Sequence, residues 1–298
     1  MGHSAALVPP GNRKQRHPAT FATAARMHQE GRLAEAEAMY RKVIAANPRD
    51  AGSLINLGLI SFQSHRLEEA ARWFRQATRI MPDHVDAHIN LGAVCRALGR
   101  PEEAVESLHR ALILQPESAL AHTILGQVLR SQERLDEAIG HFRVALAQEP
   151  ASLQAGFQLA ATLTEQGQPA AAIPLLVEVL RQSSEMPDAW NELGLACDQL
   201  GQTEDAATHY TTALRLLPTF WVAHYNLGGA RQRQGRLAEA AEHCREVLRL
   251  QPNLSPAHIR LGQVQIGLGQ LPEAMASFRR ALLLTPEQPD ALDGLGNA

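Results

Sequence analysis

The sequence predicts an all-α solenoid of about eight helix hairpins followed by a partial ninth. Three observations predict this fold, and all of them share a period of 34 residues. Proline recurs in steps of 34 from Pro48 to Pro286, with Ser184 as the one substitution. Alanine stands twelve residues before every one of these positions, from Ala36 to Ala274, and a leucine–glycine pair precedes most of them. A repeat of this length is typical of solenoids, in which each repeat buries its apolar face against its neighbours.

The elements follow from this register in order. Residues 1–16 lie ahead of the repeats, and we expect them to form a disordered tail. Residues 17–288 divide into eight repeats with the boundaries 17–50, 51–84, 85–118, 119–152, 153–186, 187–220, 221–254 and 255–288. Residues 289–298 begin a ninth repeat, in which Leu295 and Gly296 hold the leucine–glycine register, and they form either a partial repeat or a C-terminal cap.

The third repeat, residues 85–118, shows why each repeat is a pair of helices. Apolar residues follow helical spacing in its first half, up to Gly99. Pro101 opens the second helix, where its missing N–H costs nothing, and Pro116 closes that helix. The repeat is therefore a helix hairpin.

The glycine and alanine registers predict that the two helices of a hairpin approach closely. Glycine inside a helix costs about 0.5–1 kcal/mol relative to alanine, so a repeated glycine needs a compensation. A side chain larger than alanine at the second register would overpack by about 1–3 kcal/mol. The glycines that share one register are Gly58, Gly92, Gly126, Gly194, Gly228, Gly262 and Gly296.

The fifth repeat departs from this pattern. Gly156 occupies a usually bulky position, Ala160 replaces the glycine and Ser184 replaces the proline. Pro174 falls inside the second helix, where it removes a backbone hydrogen bond. Two interpretations remain open: simple divergence, or a bend that changes the pitch of the solenoid.

The repeats resemble those of the tetratricopeptide repeat (TPR) family. The residues that carry the resemblance in the third repeat are Leu91, Gly92, Ala104, Ala111 and Pro116. The resemblance implies a right-handed superhelix of stacked helix pairs, with first helices on the concave face and second helices on the convex face. Within the family, the chain is most similar in character to the TPR arm of O-linked N-acetylglucosamine transferases.

The resemblance also implies where a partner binds. In the family, the second, fifth, sixth, ninth, twelfth and thirteenth positions of each repeat face the concave groove. Amides there can hydrogen-bond a peptide backbone and aromatic rings can bury its side chains, which suits a protein or extended peptide segment as partner. The groove residues expected on this basis are Phe21, Asn56, Leu59, Phe62, Asn90, Arg96, Gln127, Arg130, Phe157, Gln158, Asn191, Glu192, Asp198, Tyr225, Asn226, Arg233, Ile259 and Arg260.

Two binding modes known in the family fit this sequence only in part. The clamp that holds a C-terminal carboxylate uses lysines, asparagines and an arginine, of which only Asn226 and Arg260 are present across the sixth to eighth repeats. We therefore do not expect that clamp. The asparagine ladder of the glycosyltransferase arm is matched at Asn56, Asn90 and Asn226 and broken at other repeats.

Composition and motifs bear on four other functional classes: nucleic-acid binding, membrane insertion, catalysis and metal binding. A formal net charge of −3 gives no electrostatic case for nucleic acid, and no run of about 18 apolar residues predicts membrane insertion. Three cysteines without a CxxC motif favour a reducing, cytoplasmic compartment. No catalytic motif is present, so we expect neither an enzyme nor a cofactor. The recurring histidines His88, His122, His224 and His258 occupy equivalent positions one repeat apart, which favours packing over a metal site.

Three functional hypotheses remain. The first is a non-catalytic scaffold that binds a peptide or partner protein in the concave groove. The second is the substrate-targeting arm of a larger enzyme such as a glycosyltransferase, for which residue 298 would be a boundary inside a longer protein. The third is self-assembly through the C-terminal end, because an open solenoid end exposes an apolar face.

Overall fold

A computed structural model of the chain describes residues 19–298, so the tail predicted for residues 1–16 lies outside the described residues. This part of the chain is helical and contains no β-strand, which confirms the all-α prediction. The helices are α1 (Ala19–Gln29), α2 (Leu33–Ala46), α3 (Ala51–Gln63), α4 (Leu67–Ile80), α5 (Val85–Ala97), α6 (Pro101–Leu114), α7 (Ala119–Ser131), α8 (Leu135–Gln148), α9 (Leu153–Glu165), α10 (Pro169–Gln182), α11 (Pro187–Gln199), α12 (Thr203–Leu216), α13 (Trp221–Arg233), α14 (Leu237–Leu250), α15 (Ser255–Gly267), α16 (Leu271–Leu284) and α17 (Pro289–Asn297).

The helices pair as hairpins in chain order. Odd-numbered helices are first helices and even-numbered helices are second helices, and α5 packs on α6 as α11 packs on α12. The hairpin turn places Gly99 at φ +68°, a left-handed conformation that favours glycine after a helix C-terminus. His65 and Glu133 adopt the same conformation at φ 57° and 61° without being glycine. The helix-hairpin prediction is therefore confirmed, whereas the repeat boundaries along the connecting loops stay a prediction.

The glycine register is where a first helix meets its second helix. A Cβ added at Gly126 would lie 2.6 Å from Phe142 Cε1, and one added at Gly194 would lie 2.6 Å from Tyr210 Cε1. Gly58, Gly92 and Gly262 make equivalent contacts with Phe74, Leu108 and Phe278. In all five repeats, a large side chain sixteen positions after the glycine fills the space that a Cβ would occupy. The predicted close approach is confirmed at these positions.

The explanation does not extend to the two remaining glycines of that register. At Gly228 the nearest heavy atom to an added Cβ is His243 Cβ at 3.4 Å, because Cys244 stands where the other repeats have a larger side chain. At Gly296 nothing lies within 4 Å. The alanine register holds throughout, since the residues from Ala36 to Ala274 at this position are all fully buried.

The described residues form two compact units, an N-terminal unit that ends at Ala155 and a C-terminal unit (Gly156–Ala298). The N-terminal unit contains a core of small and large apolar residues around Tyr40 and Ile60. In the C-terminal unit, the core around Phe278 includes Ala291 of α17. Helix α17 also packs on α15 and α16 and leaves the side chain of Leu292 52% exposed.

The second helix of the fifth repeat, α10, runs without interruption through Pro174. Gly156 of the same repeat is buried, and a Cβ added there would lie 3.1 Å from Val179 Cγ2. The glycine is therefore compatible with close packing against α10. The choice between divergence and a bend stays open.

Candidate functional site

The first helices form the inner face within each unit. In the C-terminal unit α11 contacts α13 and α13 contacts α15, and in the N-terminal unit α5 contacts α7. Consecutive second helices within a unit do not approach one another in this way in the described part of the chain. We call the surface along the first helices the first-helix face; it carries the groove residues expected from the sequence. The faces of the two units are described separately.

An arginine and a tyrosine form the centre of this face in the C-terminal unit. The Arg260 guanidinium carbon lies 3.8 Å from the centroid of the Tyr225 ring, and Arg260 Nη1 donates a hydrogen bond to the Tyr225 carbonyl at 2.5 Å. A cation over an aromatic ring is stabilised by the ring quadrupole. The guanidinium fits because Gly229 has no side chain: an added Cβ would lie 2.5 Å from Arg260 Nη1.

Polar contacts also join α11 to α13. Asn226 Nδ2 donates to Asn191 Oδ1 at 3.0 Å. Farther along the helices, Arg233 Nη2 forms an ion pair with both carboxylate oxygens of Asp198. The Asp198 side chain is 17% exposed and the Arg233 side chain is 51% exposed, so this pair sits at the surface of the face. Consecutive first helices are thus held in register by side chains that were expected to contact a partner.

In the N-terminal unit, several of the expected residues point into the protein. Asn56 is 6% exposed and donates from Nδ2 to the Gly52 carbonyl of its own helix at 2.8 Å. Asn90 is fully buried. Two of the three asparagines that matched the ladder, Asn56 and Asn90, are therefore buried and do not form an exposed row. Phe62, by contrast, is half-buried and reaches the surface.

Arg96 and Gln127 differ from the other polar residues of this face. Burial lowers the pKa of the Arg96 guanidinium, and its Nε is buried without a hydrogen-bond partner within residues 19–298. The Gln127 Oε1 atom is also buried and also lacks a hydrogen-bond partner in that part of the chain. Buried polar atoms without partners are uncommon, so each of them requires an explanation.

The expected groove residues thus divide into two groups by exposure. The buried ones, whose side chains stabilise the helix stack, are Asn56, Leu59, Asn90, Gln158, Asn191 and Ile259. The partly or fully accessible ones are Phe21, Phe62, Arg96, Gln127, Arg130, Phe157, Glu192, Asp198, Tyr225, Asn226, Arg233 and Arg260. Among the latter, Phe21 also makes an edge-on contact with Tyr40, with ring centroids 5.5 Å apart. Contact of any of these residues with a partner stays a prediction.

Sequence reasoning missed Gly229, which makes room for the Arg260 guanidinium. The signal was present in the pair Gly228–Gly229, in which the second glycine lies outside the repeated register. A glycine with no role in helix–helix packing indicates close approach of another group. The approaching group could not be identified without the structure.

The recurring histidines have a structural role that the sequence did not specify. His122 Nε2 lies 2.9 Å from the Pro116 carbonyl, and His224 Nε2 lies 3.0 Å from the Pro218 carbonyl. His88 and His258 make the same contact with the proline carbonyl six residues earlier, and Trp190 Nε1 donates equivalently to the Ser184 carbonyl. A carbonyl only accepts, so Nε2 of each histidine carries the proton. These side chains link five of the first helices, α5, α7, α11, α13 and α15, to the loop that precedes each of them.

Two of these histidines pair with a second histidine. His122 Nδ1 lies 2.8 Å from His141 Nδ1, and His224 Nδ1 lies 3.0 Å from His243 Nδ1. Because Nε2 of the first histidine is the donor, its Nδ1 accepts and the partner's Nδ1 donates. Burial, followed by repulsion from the neighbouring histidine, lowers the pKa of His141 and of His243 to about 4. His141 and His243 are therefore neutral at neutral pH.

Other sites that could carry chemistry are sparse in the described residues. Within residues 19–298, no three histidine, cysteine or acidic side chains come close enough to hold a metal ion. All three cysteines are buried, and burial raises the pKa of Cys95 to about 12 and that of Cys244 to about 11. None of the helices described is long and apolar enough to cross a bilayer.

Together, the stacked hairpins and their inner face define a helical-repeat scaffold for protein interaction. Models of tetratricopeptide repeats match residues 29–85, 96–152, 157–219 and 198–255, and a second tetratricopeptide repeat model matches residues 231–297. The chain belongs to the tetratricopeptide repeat family.

Solved structures agree with this fold. The chain is similar to a chain of the APC/C hetero-tetramer Cut9–Hcn1, with a TM-score of 0.71 and 16% identity over 93% of this chain and 55% of that one. It therefore spans about half of the length of that protein. It is also similar to pilF of Pseudomonas aeruginosa (TM-score 0.64, 19% identity, 72% and 97% covered) and to YrrB, described as a TPR protein with an unusual peptide-binding site (TM-score 0.52, 23% identity, 62% and 95% covered). A comparison with curated protein sequences gives no match.

Proposed function

We propose that the chain is a non-catalytic scaffold that binds an extended peptide segment of a partner protein along its first-helix face. One observation carries the proposal. Two pairs of side chains on the C-terminal unit's first-helix face, Tyr225 with Arg260 and Asp198 with Arg233, are each ordered by a contact between neighbouring first helices. Side chains that are already ordered lose little conformational entropy when a ligand binds.

The chemistry of this face suits an extended peptide. In the C-terminal unit, the Tyr225 ring and the half-buried Phe157 offer apolar contact area, and aromatic and arginine side chains dominate the energetics of many interfaces. Charges of both signs stand among them, as Asp198 and Arg233 do. Opposite charges at fixed positions select a partner with complementary charge.

A binding measurement with matched surface variants tests the proposal. Peptides are selected from a random dodecapeptide library displayed on phage, with the full chain as target. The affinity of a fluorescein-labelled peptide is then measured by anisotropy. Tyr225→Ala is expected to weaken binding by about tenfold or more, because the substitution removes aromatic contact area. The control variants Ile113→Ala and Val177→Ala alter second helices, where these side chains are 70% and 51% exposed.

Tyr225→Ala and the two control variants distinguish binding at the first-helix face from binding at the second helices. If the face binds the peptide, the control variants change the affinity less than about twofold, as expected for exposed residues outside an interface. Equal affinities for Tyr225→Ala and the unaltered chain, with a loss for either control variant, would move the site to the second helices. That result would refute the proposal.

A second candidate function is self-association. It is favoured by the exposure of the apolar side chain of Leu292 on α17, a helix that packs on α15 and α16. Light scattering over a concentration series, repeated with Leu292→Glu, tests it. A monomer at every concentration for the unaltered chain would remove this candidate.

A further inference from the structure

Arg96 is an arginine of the first-helix face without a compensating charge. Arg233 pairs with Asp198, and Arg260 is held by the ring and carbonyl of Tyr225. The Arg96 Nε is buried without a hydrogen-bond partner within residues 19–298, and no carboxylate there offsets the effect of burial on its pKa. Burying a charge without a partner destabilises a protein, so a role outside folding would explain why arginine occupies this position.

Gln127 provides a second group of the same kind on the adjacent helix. Its Oε1 is buried without a hydrogen-bond partner among the described residues, and α7, which carries it, contacts α5, which carries Arg96. In the C-terminal unit, the ninth position of the seventh repeat, Gly229, meets the sixth position of the next repeat, Arg260. By the same register, one helical turn farther along, Arg96 at the twelfth position and Gln127 at the ninth position of the next repeat occupy adjacent places on the first-helix face, although their buried Nε and Oε1 are not hydrogen-bonded within residues 19–298.

The C-terminal unit shows what is missing around Arg96. There the twelfth position, Asp198, forms an ion pair with the thirteenth position of the next repeat, Arg233. In the N-terminal unit, the corresponding positions are Arg96 and Ser131. Ser131 carries no charge, and its hydroxyl donates to the Val128 carbonyl at 2.6 Å. The protein thus supplies both charges of the pair in one unit and only the cation in the other.

We propose that Arg96 and Gln127 form a subsite for the carboxylate of an aspartate or glutamate side chain in the bound peptide. This inference rests on the proposed function, since it assigns a chemistry to one position of the bound segment. Because the Arg96 Nε is buried, the carboxylate is bound by the two Nη groups at the end of the guanidinium, which can donate to both of its oxygens. The Gln127 Nε2 can donate a hydrogen bond to a carbonyl of the peptide main chain. Phe62, at the twelfth position of the preceding repeat, offers an apolar contact to a neighbouring residue of the peptide.

A double-substitution experiment on the full chain tests this subsite. The probe is a fluorescein-labelled dodecapeptide selected by phage display, amidated at its C terminus so that only side-chain carboxylates remain. Each acidic residue of the peptide is changed in turn to its amide. Anisotropy then gives the affinity of every peptide for the unaltered chain, for Arg96→Gln and for the control Arg110→Gln, which removes an exposed arginine of α6 that pairs with Asp83.

The proposal predicts coupling between Arg96 and one acidic residue of the peptide. Arg96→Gln is expected to weaken binding of the acidic peptide by about 10- to 100-fold, the range for a hydrogen bond between charged groups. The same substitution is expected to leave the affinity of one amide peptide unchanged within about twofold, and Arg110→Gln is expected to change neither. Equal losses on all peptides, or selected peptides without acidic residues, would overturn the subsite.

The melting temperature of an Arg96 variant and the peptide affinity of variants of the first-helix face separate a binding role of Arg96 from a structural role. Arg96→Met is expected to leave the melting temperature of the free chain unchanged or higher, because an uncompensated charge is replaced by an apolar side chain of similar length. A lower melting temperature would indicate a structural role and count against the subsite. If neither Tyr225→Ala in the C-terminal unit nor Phe62→Ala in the N-terminal unit weakens peptide binding, the proposed function itself fails; if only the coupling at Arg96 is absent, only the subsite fails.

Discussion

The glycine register leads to a prediction in which the same substitution has opposite effects in two repeats. Gly194→Ala places a Cβ 2.6 Å from Tyr210 Cε1, about 1 Å inside the normal separation of two carbon atoms. Tyr210 is fully buried, so its ring has no space to move into. Gly228→Ala places a Cβ no closer than 3.4 Å to any atom, which is ordinary contact.

The magnitudes follow from these distances. Overpacking costs about 1–3 kcal/mol, and replacing glycine by alanine in a helix returns about 0.5–1 kcal/mol. Gly194→Ala is therefore expected to lower the free energy of unfolding by about 1–2 kcal/mol. Gly228→Ala has only the favourable effect of replacing glycine by alanine in a helix, so it is expected to raise the free energy of unfolding by about 0.5–1 kcal/mol. The entropy of unfolding scales with chain length, so for a chain of 298 residues the two variants should differ in melting temperature by roughly 2–5 °C.

Thermal and urea unfolding, followed by circular dichroism at 222 nm, measure this difference. A third variant tests its cause. In a Tyr210→Cys background, which reproduces the pairing of Gly228 with Cys244, Gly194→Ala is expected to become stabilising. If Gly194→Ala raises the melting temperature as much as Gly228→Ala does, the close approach of the two helices is not what requires glycine.

Three further predictions concern pH, thiols and an ion pair. The pKa of His141 and of His243 is lowered from 6.5 to about 4 in the folded chain. Between pH 6.5 and 4, therefore, these two histidines take up protons in the unfolded chain but not in the folded chain. The stability that the neutral histidines contribute is complete above about pH 6.5 and is lost as the pH falls towards 4. Urea unfolding from pH 4 to 8 should therefore show a shallower slope for a variant with glutamine at both positions. Buried Cys95 and Cys244, with raised pKa values, should not react with Ellman's reagent in the native chain, whereas all three cysteines should react after denaturation. Asp198→Asn should lower the free energy of unfolding by no more than about 1 kcal/mol in chemical denaturation, because its partner arginine is largely solvated; a larger loss would mean that the pair is essential to the stack.

The repeat register predicted the fold because the residue type at each of its positions is restricted by local packing or by a helix end. Alanine at the register of Ala104 is needed wherever two helices meet at minimal distance, and proline at Pro101 or Pro116 marks where a helix can begin or must end. These constraints act within one hairpin, so they are visible in the sequence of one hairpin. Gly228 is an exception, because the residue sixteen positions later, Cys244, is small and leaves space for a Cβ. Predicting this exception from the sequence would have required comparing the two positions together.

The candidate site was predicted less completely for a physical reason. Position in the repeat gives the direction of a side chain, but its availability depends on the neighbouring first helix. Asn90 and Arg96 both belong to the expected set, yet Asn90 is fully buried and Arg96 is only partly so. The contact of Arg260 with Tyr225 depends on Gly229 as well, a combination of three residues on two helices that no single-repeat pattern encodes.

Photo-cross-linking of the selected peptide to the full chain tests the central claim, peptide binding along the first-helix face, most directly. A photoreactive phenylalanine analogue is placed at the exposed first-helix positions Gln63 and Gln199, and at the exposed second-helix positions Ile113 and Val177. The account predicts cross-links to the peptide from at least one of the first-helix positions and none from the second-helix positions. Cross-links confined to Ile113 or Val177 would contradict it.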